Sequence, residues 1–265
     1  MMPRRLARAL GWAAVLGGFY VFVYLPVAVL VLFSFQDGRL PVPPFNGPTL
    51  AWYGKVLGNG RLLEAAWNSV VVGVGSSMVA TLLGFLAAYG LARHRVPGRR
   101  LIHAALVLPL TVSYLVIGLG LLVTFNAAGL PKSLLAVAIG HLVINLPLCF
   151  LVAAAQMGPA EARLEQAARD LGASEWQVLT RVALPLALPS LFAAFCLSFT
   201  LSWDEFVIAF LLTNFDVTLP VVIWSMLRTG LNPETNAAGT LVFAVSLLLV
   251  AGAELVLARR GRAAR

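Results

Sequence analysis

Six long apolar stretches constrain this chain more than any other feature. They cover residues 11–35, 65–91, 101–125, 133–155, 190–213 and 236–257. Each has the roughly 20 residues that a helix needs to cross a hydrocarbon layer about 30 Å thick. The whole sequence is 60% hydrophobic and 11% charged, whereas a soluble domain averages about 45–50% apolar and about 25% charged residues. That leaves too little charge to cover a soluble fold. The first stretch follows the basic start Met1-Met2-Pro3-Arg4-Arg5, but it far exceeds the 7–15 residues of a signal-peptide core and is expected to be a retained anchor. Cys149 and Cys196 lie inside apolar runs, where cysteine reads as a small core-filling residue, and no disulfide is expected.

The net charge of +8 raises the question of nucleic acid, and the placement of the charge answers it. The basic residues sit in short clusters between apolar stretches, as in the loops of a membrane protein, and no soluble segment is long enough to form a basic face. No nucleic-acid partner is expected. With the N-terminus inside, Arg4, Arg5, Arg8, Arg93, Arg95, Arg99, Arg100, Arg163, Arg169, Arg181, Arg259, Arg260, Arg262 and Arg265 fall on the cytoplasmic side. These are 14 of the 19 Lys and Arg residues. Arg39, Lys55, Arg61, Lys132 and Arg228 remain outside. The excess of positive charge inside predicts an even number of spans with both termini cytoplasmic.

Two connections are long enough to carry structure of their own. The outer one, residues 36–64, opens with Pro41, Pro43, Pro44 and Pro48 and continues Leu50-Ala51-Trp52-Tyr53. Aromatic residues at a span boundary suit a short helix in the headgroup layer; an aromatic belt and a contact with a partner are equally consistent with it. In the inner one, residues 156–189, Gly158-Pro159 and Glu161 predict a helix start. Leu164, Ala167, Ala168 and Leu171 then recur at i, i+3, i+4 and i+7, away from Arg163, Glu165, Arg169 and Asp170. Gly172 ends that helix, and Ser174-Glu175-Trp176-Gln177 has the spacing of a capping box that starts a second one. Leu184-Pro185 and Leu188-Pro189 are expected to break the pattern before the fifth span. The product is a helical hairpin, which either docks on another protein or packs against its own spans.

Asp204 and Glu205 fall within the fifth apolar stretch, where a charge costs about 2.5–3.5 kcal/mol at a helix centre. Being adjacent, they cannot both point the same way. Either one of them lines a polar path between the spans, with Trp203 beside it for a cation–π contact, or both join this chain to a partner chain. Glu254 lies near Arg259 and Arg260, where local pairing suffices. His94, His103 and His141 lack metal-ligand spacing, so no metal site and no catalytic residue are expected. Asn68 and Asn145 suit interhelical hydrogen bonds, and Pro26, Pro109 and Pro147 are expected to bend their helices.

The hairpin also carries a resemblance. Gln166-Ala167-Ala168, three residues, Gly172, nine residues, Val182, one residue, Leu184-Pro185 resembles the EAA loop of binding-protein-dependent ABC importer permeases. Gln166 and Val182 stand where that loop has glutamate and isoleucine, with Glu165 one position earlier. Within the family, residues 201–206, 219–226 and 232–237, with 49–53 and 67–69, look most like the second permease of spermidine/putrescine importers. The resemblance implies an all-α membrane protein with six transmembrane helices, a type I ABC importer permease (MetI-like) core and a cytoplasmic coupling-helix loop. It divides the chain into a cytoplasmic start and first span (1–35), a periplasmic segment (36–64), a five-helix core (65–258) that includes the loop 156–189, and a basic cytoplasmic tail (259–265).

The implied partners are a second homologous permease, a cytoplasmic ABC ATPase dimer, an external solute-binding protein and the lipid bilayer. No cofactor is implied for this chain, which has no phosphate-binding G-x-x-x-x-G-K-[ST] loop; ATP and Mg belong to the ATPase. The implied coupling residues are Glu165, Gln166, Ala167, Ala168, Asp170, Gly172, Ala173, Ser174, Leu184 and Pro185, and the pathway candidates are Trp203, Asp204 and Glu205. Polyamine import across the inner membrane is the function implied. The same machine carrying iron, a phosphonate or an opine-like amine is the alternative, and a stand-alone secondary transporter is the alternative from another class.

Overall fold

The computed structural model describes the backbone of residues 4–230 and 232–263 and the side chains of residues 11–230 and 232–252. The described residues form helices joined by turns: α1 (Arg4–Ser34), α2 (Ala51–Gly58), α3 (Gly60–Arg93), α4 (Arg99–Val107), α5 (Tyr114–Ala127), α6 (Leu134–Ala155), α7 (Pro159–Asp170), α8 (Glu175–Val178), α9 (Leu184–Trp203), α10 (Val207–Leu212), α11 (Leu219–Thr229) and α12 (Pro233–Ala263). Among them, five helical segments are long and apolar enough to cross a membrane, and six if the bent pair α4 and α5 counts as one. The side chains of Glu254, Arg259 and Arg260 lie outside the described residues.

Two units divide the chain. The first holds residues 1–60 and 223–244, the second residues 61–222 and 245–265. In the first, α1 exposes Trp12, Phe19, Tyr20 and Phe22, as suits a helix that is apolar all round. The proline-rich loop beyond it is organised by Gln36. Its side chain donates to Pro44 O and accepts from Asn46 N, its backbone pairs with Pro48, and its carbonyl accepts from Trp52 Nε1 at 2.9 Å. Proline supplies no N–H, so one side chain amide meets the needs of several residues. The helix expected near Trp52 and Tyr53 is α2, anchored to the end of α1 by Tyr53 Oη and Ser34 Oγ at 2.6 Å.

In the second unit, α3, α6 and α9 pack together in the core, with Phe85, Phe150, Ala187 and Leu191 in one cluster. Gly84 permits the closest approach. A Cβ there would lie 2.7 Å from Phe150 N and 2.8 Å from Cys149 C, so the α3 and α6 backbones meet only where the side chain is absent. A second cluster, with Val72, Val137, Ile144, Ile208 and Leu212, seats the short α10.

Three expectations are corrected. The third stretch, residues 101–125, is not one straight helix: α4 and α5 meet at 110°. The bend falls at a 3-10 turn, Leu108–Thr111, followed by extended Val112 and Ser113. Pro109 lies in that turn, which permits the tighter geometry. Second, Pro185 and Pro189 do not interrupt the fifth span, because helix runs on from Glu175 to Trp203. A π turn at Leu179–Ala183 precedes Pro185, with Leu184 N bonded to Leu179 O, so the strain that proline imposes on the preceding turn is taken up there. Third, the helix expected to run on to residue 213 stops at Trp203, and Asp204 and Glu205 stand at a break before α10. Pro26 and Pro147 remain inside α1 and α6.

Candidate functional site

Two places in the second unit bring polar chemistry together: the hairpin that follows α6, and the break that follows α9.

The hairpin is assembled as its sequence predicts. Pro159 opens α7 with Glu161 in the first turn. Gly172 closes it with φ +88°, and Gly172 N and Ala173 N bond to Arg169 O and Ala168 O, which satisfies the last carbonyls. Ser174 and Gln177 then form a reciprocal capping box at the start of α8.

The outward face is the informative part. Leu164, Trp176 and Leu171 are 52%, 71% and 90% exposed, while Glu165 is 1% exposed. The apolar stripe therefore faces away from the chain's own spans, and a carboxylate faces in. Glu165 is held by Arg93 at the end of α3 through two parallel bonds, Nε to Oε2 at 2.7 Å and Nη2 to Oε1 at 2.9 Å. Arg93 also donates to Met157 O at 3.3 Å. Breaking such a buried pair by removing one partner costs about 3–5 kcal/mol, because a charge is left uncompensated.

The charges continue outward from that pair. Arg169 Nη2 lies 4.0 Å from Glu165 Oε2, and Arg169 Nε lies 2.7 Å from Glu175 Oε1. The Glu175 carboxylate bonded to Arg169 pushes the guanidinium still higher than its ordinary value. Arg93, Glu165, Arg169 and Glu175 thus alternate in sign from α3 across α7 to α8. Gln166, in the position of the family's glutamate, is exposed and donates to Asp170 Oδ1 at 2.9 Å. Ala167 and Asp170 are exposed, Ala168 and Ala173 half-buried, and Leu184 and Pro185 lie at the start of α9.

At the second place, Glu205 is buried and Asp204 exposed. The Glu205 carboxylate accepts from Val207 N, Ile208 N and Ala209 N at 3.0, 2.9 and 3.3 Å. It therefore caps α10 and meets the donors that a helix start leaves unpaired. His141 Nε2 lies 3.5 Å from Glu205 Oε2, and His141 Nδ1 lies 2.6 Å from Ser202 Oγ. Trp203 is buried and stacked on Phe199 with centroids 6.3 Å apart.

Below the break a polar seam joins α3, α6 and α9. Ser76 Oγ lies 3.4 Å from Ser202 Oγ, Ser198 Oγ donates to Ser77 Oγ at 2.9 Å, and Asn145 Nδ2 donates to Ser198 O at 3.4 Å. The non-helical backbone after α10 is also satisfied from α3: Asn68 Nδ2 donates to Val217 O at 3.1 Å, and Ser69 Oγ accepts from Leu219 N at 2.8 Å. At membrane depth, irregular backbone is tolerated only where its polar groups are met in this way.

Sequence reasoning misses Arg93 and His141. Arg93 counts there only as one charge of a basic loop, and no spacing links it to Glu165 across 72 positions. His141 stands isolated in the sequence because its partners lie beyond its own helix.

These features define a polytopic helical membrane protein: apolar spans, a broken helix with a carboxylate at the break, and a pendant hairpin with an exposed apolar face. The chain belongs to the family of binding-protein-dependent transport system inner membrane components, which it matches over residues 80–262. It is 33% identical over 246 residues to the spermidine/putrescine transport system permease protein PotC of Escherichia coli K12, covering 91% of this chain and 92% of that protein. It is 31% identical to the putrescine transport system permease protein PotI of the same strain, over 84% and 82% of the two chains. It is 32% identical to the putative 2-aminoethylphosphonate transport system permease protein PhnV of Salmonella typhimurium LT2, over 92% of each. A crystal structure of a bacterial ABC transporter that imports the polysaccharide alginate contains a chain with the same fold, at a TM-score of 0.71 and 20% identity over 98% of both chains.

The chain is accordingly a permease subunit of an ABC importer and not an enzyme. In its family ATP and Mg act in a separate ATPase.

Proposed function

We propose that this chain is one of two homologous permeases that carry polyamines such as spermidine or putrescine inward across the inner membrane, with both termini in the cytoplasm. Residues 36–64 face the external solute-binding protein, residues 65–258 form the core, and residues 259–265 are a basic cytoplasmic tail. The observation that carries the reading is the orientation of the hairpin. Leu164, Leu171 and Trp176 point outward while Glu165 points in, and an apolar patch rimmed by charge marks a protein contact. In this reading that face sits on the ATPase dimer, with Gln166, Ala167, Ala168, Asp170, Gly172, Ala173 and Ser174 around the contact.

ATP binding closes the dimer and carries the docked hairpins with it, rocking the spans between inward-open and outward-open states. ATP drives this because it binds the two states with different affinity.

Cargo recognition is assigned to Asp204 and not to Glu205, since the three backbone donors of α10 already occupy the Glu205 carboxylate. An exposed carboxylate complements an ammonium group, and Trp203 supplies a ring for a cation–π contact when the bundle opens. The likeness to PotC and PotI supports a polyamine; the likeness to PhnV supports an aminophosphonate as the second reading.

The test uses the assembled importer in vesicles. Leu171→Asp should release the ATPase from the purified complex. Asp204→Asn should lower putrescine uptake about tenfold, the worth of roughly one charge-assisted hydrogen bond. Retained ATPase in the first variant removes the docking reading. Competition of labelled putrescine by excess 2-aminoethylphosphonate, with none by spermidine, would favour the second cargo.

A further inference from the structure

In the reading above the hairpin must move a membrane span, and that requires a connection that does not yield. Among the described residues, α7 is tied to α3 by the Arg93–Glu165 pair. It is bidentate at 2.7 and 2.9 Å, the Glu165 side chain is 1% exposed and that of Arg93 11%, and Arg93 also holds Met157 O just past the end of α6. One guanidinium therefore ties together the last turn of α3, the exit of α6 and the middle of α7. Its position suits the negative end of the α3 dipole. A planar, bidentate pair resists shear better than a single contact because both parallel bonds must break together.

We propose that Arg93 and Glu165 form the mechanical joint through which displacement of the hairpin is transmitted to α3, so that Glu165 acts within the permease and not on the ATPase. Arg169 and Glu175 extend the joint: their bonds at 2.7 and 3.0 Å tie α7 to α8, so the hairpin moves as one body. Glu165 and Arg93 are positioning residues, and neither touches cargo. The inference rests on the docking reading and deepens it. It separates two neighbours that sequence alone places side by side: Gln166 lies on the outer surface, and Glu165 beneath it faces the span.

The experiment uses the full importer, with its ATPase, partner permease and binding protein, reconstituted in vesicles. Four forms are compared: wild type, Glu165→Gln, Arg93→Lys, and the exchange Arg93→Glu with Glu165→Arg. Three quantities are read on each preparation: ATPase subunits retained, ATP hydrolysed and cargo accumulated. The two single variants should retain the ATPase at the wild-type ratio, yet carry about fivefold less cargo per ATP, or lower still, because one state-coupling contact has been removed. The exchange should recover at least part of the loss, as expected of a directly interacting pair. Loss of the ATPase in Glu165→Gln but not in Arg93→Lys would overturn the proposal, because Glu165 would then be an ATPase contact. Unchanged cargo per ATP in both single variants would overturn it as well.

Should the single variants fail to accumulate, the wild-type joint is read directly. Spin labels at Leu86 and Arg163 should keep their separation between nucleotide-free and vanadate-trapped states to within about 2 Å, the scale of a helix shift. A larger change means that α3 and α7 move apart and the joint does not exist. Failure of docking registers in ATPase retention and failure of the joint in cargo per ATP, so the two are distinguishable.

Discussion

Glu205 caps the helix that begins two residues beyond it: its Oε2 accepts the Ile208 backbone N–H at 2.9 Å, in a buried position at the end of α9. A carboxylate spent on three backbone donors is part of the scaffold. Glu205→Ala should lower the stability of the detergent-purified chain by about 1–3 kcal/mol, as for a buried charged hydrogen-bond partner, and Glu205→Gln should lower it less. Asp204→Asn, at the exposed neighbour, should leave the melting temperature unchanged. Equal melting temperatures for wild type and all three variants would show that the cap is dispensable.

Gly84 sets the distance between α3 and α6. Gly84→Ala forces a Cβ to within 2.8 Å of backbone atoms in α6, and overpacking of this kind costs about 1–3 kcal/mol. Gly75, on the same helix, has open space where a Cβ would stand, with nothing within 4 Å. Gly75→Ala should therefore be neutral or stabilise by up to about 1 kcal/mol through helix propensity. Thermal unfolding of the pair in one detergent checks both.

The polar seam should be worth little at each bond. Ser198→Ala removes the 2.9 Å bond to Ser77 and is expected to cost about 0.6 kcal/mol, the average for interhelical hydrogen bonds in membranes. His141→Phe takes a polar neighbour from both Ser202 and Glu205 and should cost more, about 1–3 kcal/mol. Denaturant titration in mixed micelles ranks the two, and the reverse order would contradict the seam's assigned geometry.

Gly172 closes α7 with a left-handed φ of +88° and open space around it. Gly172→Ala therefore tests backbone strain alone, at about 1–2 kcal/mol. The amides of residues 170–174 should exchange faster with deuterium in the variant, and those of α3 should not change. Uniform exchange across the hairpin in both proteins would mean that another closure exists.

The hairpin is the most legible part of the chain because its signals are local. Pro159, Gly172 and the Ser174/Gln177 box each act within four residues, and each is found where its spacing places it. The apolar stripe of Leu164 and Leu171 is legible too, but not its direction. Periodicity states that a face is apolar and is silent on what covers it. The fifth apolar stretch reads on past Trp203 because hydropathy continues from α9 into α10 across the break; a capped interruption by Glu205 changes the backbone without changing the apolar character of the run.

What the sequence determined by itself was local: apolar lengths fit for a bilayer, the signals that start and stop α7 and α8, and the family to which the chain belongs. These depend on residues near one another along the chain, where a side chain and the backbone it serves cannot separate. Which of two adjacent carboxylates is spent inside was decided only by the tertiary structure. Arg93 meets Glu165, and His141 meets Glu205, across turns and whole helices. Such pairs exist only once packing has brought distant positions together, and their burial then makes each one costly to break.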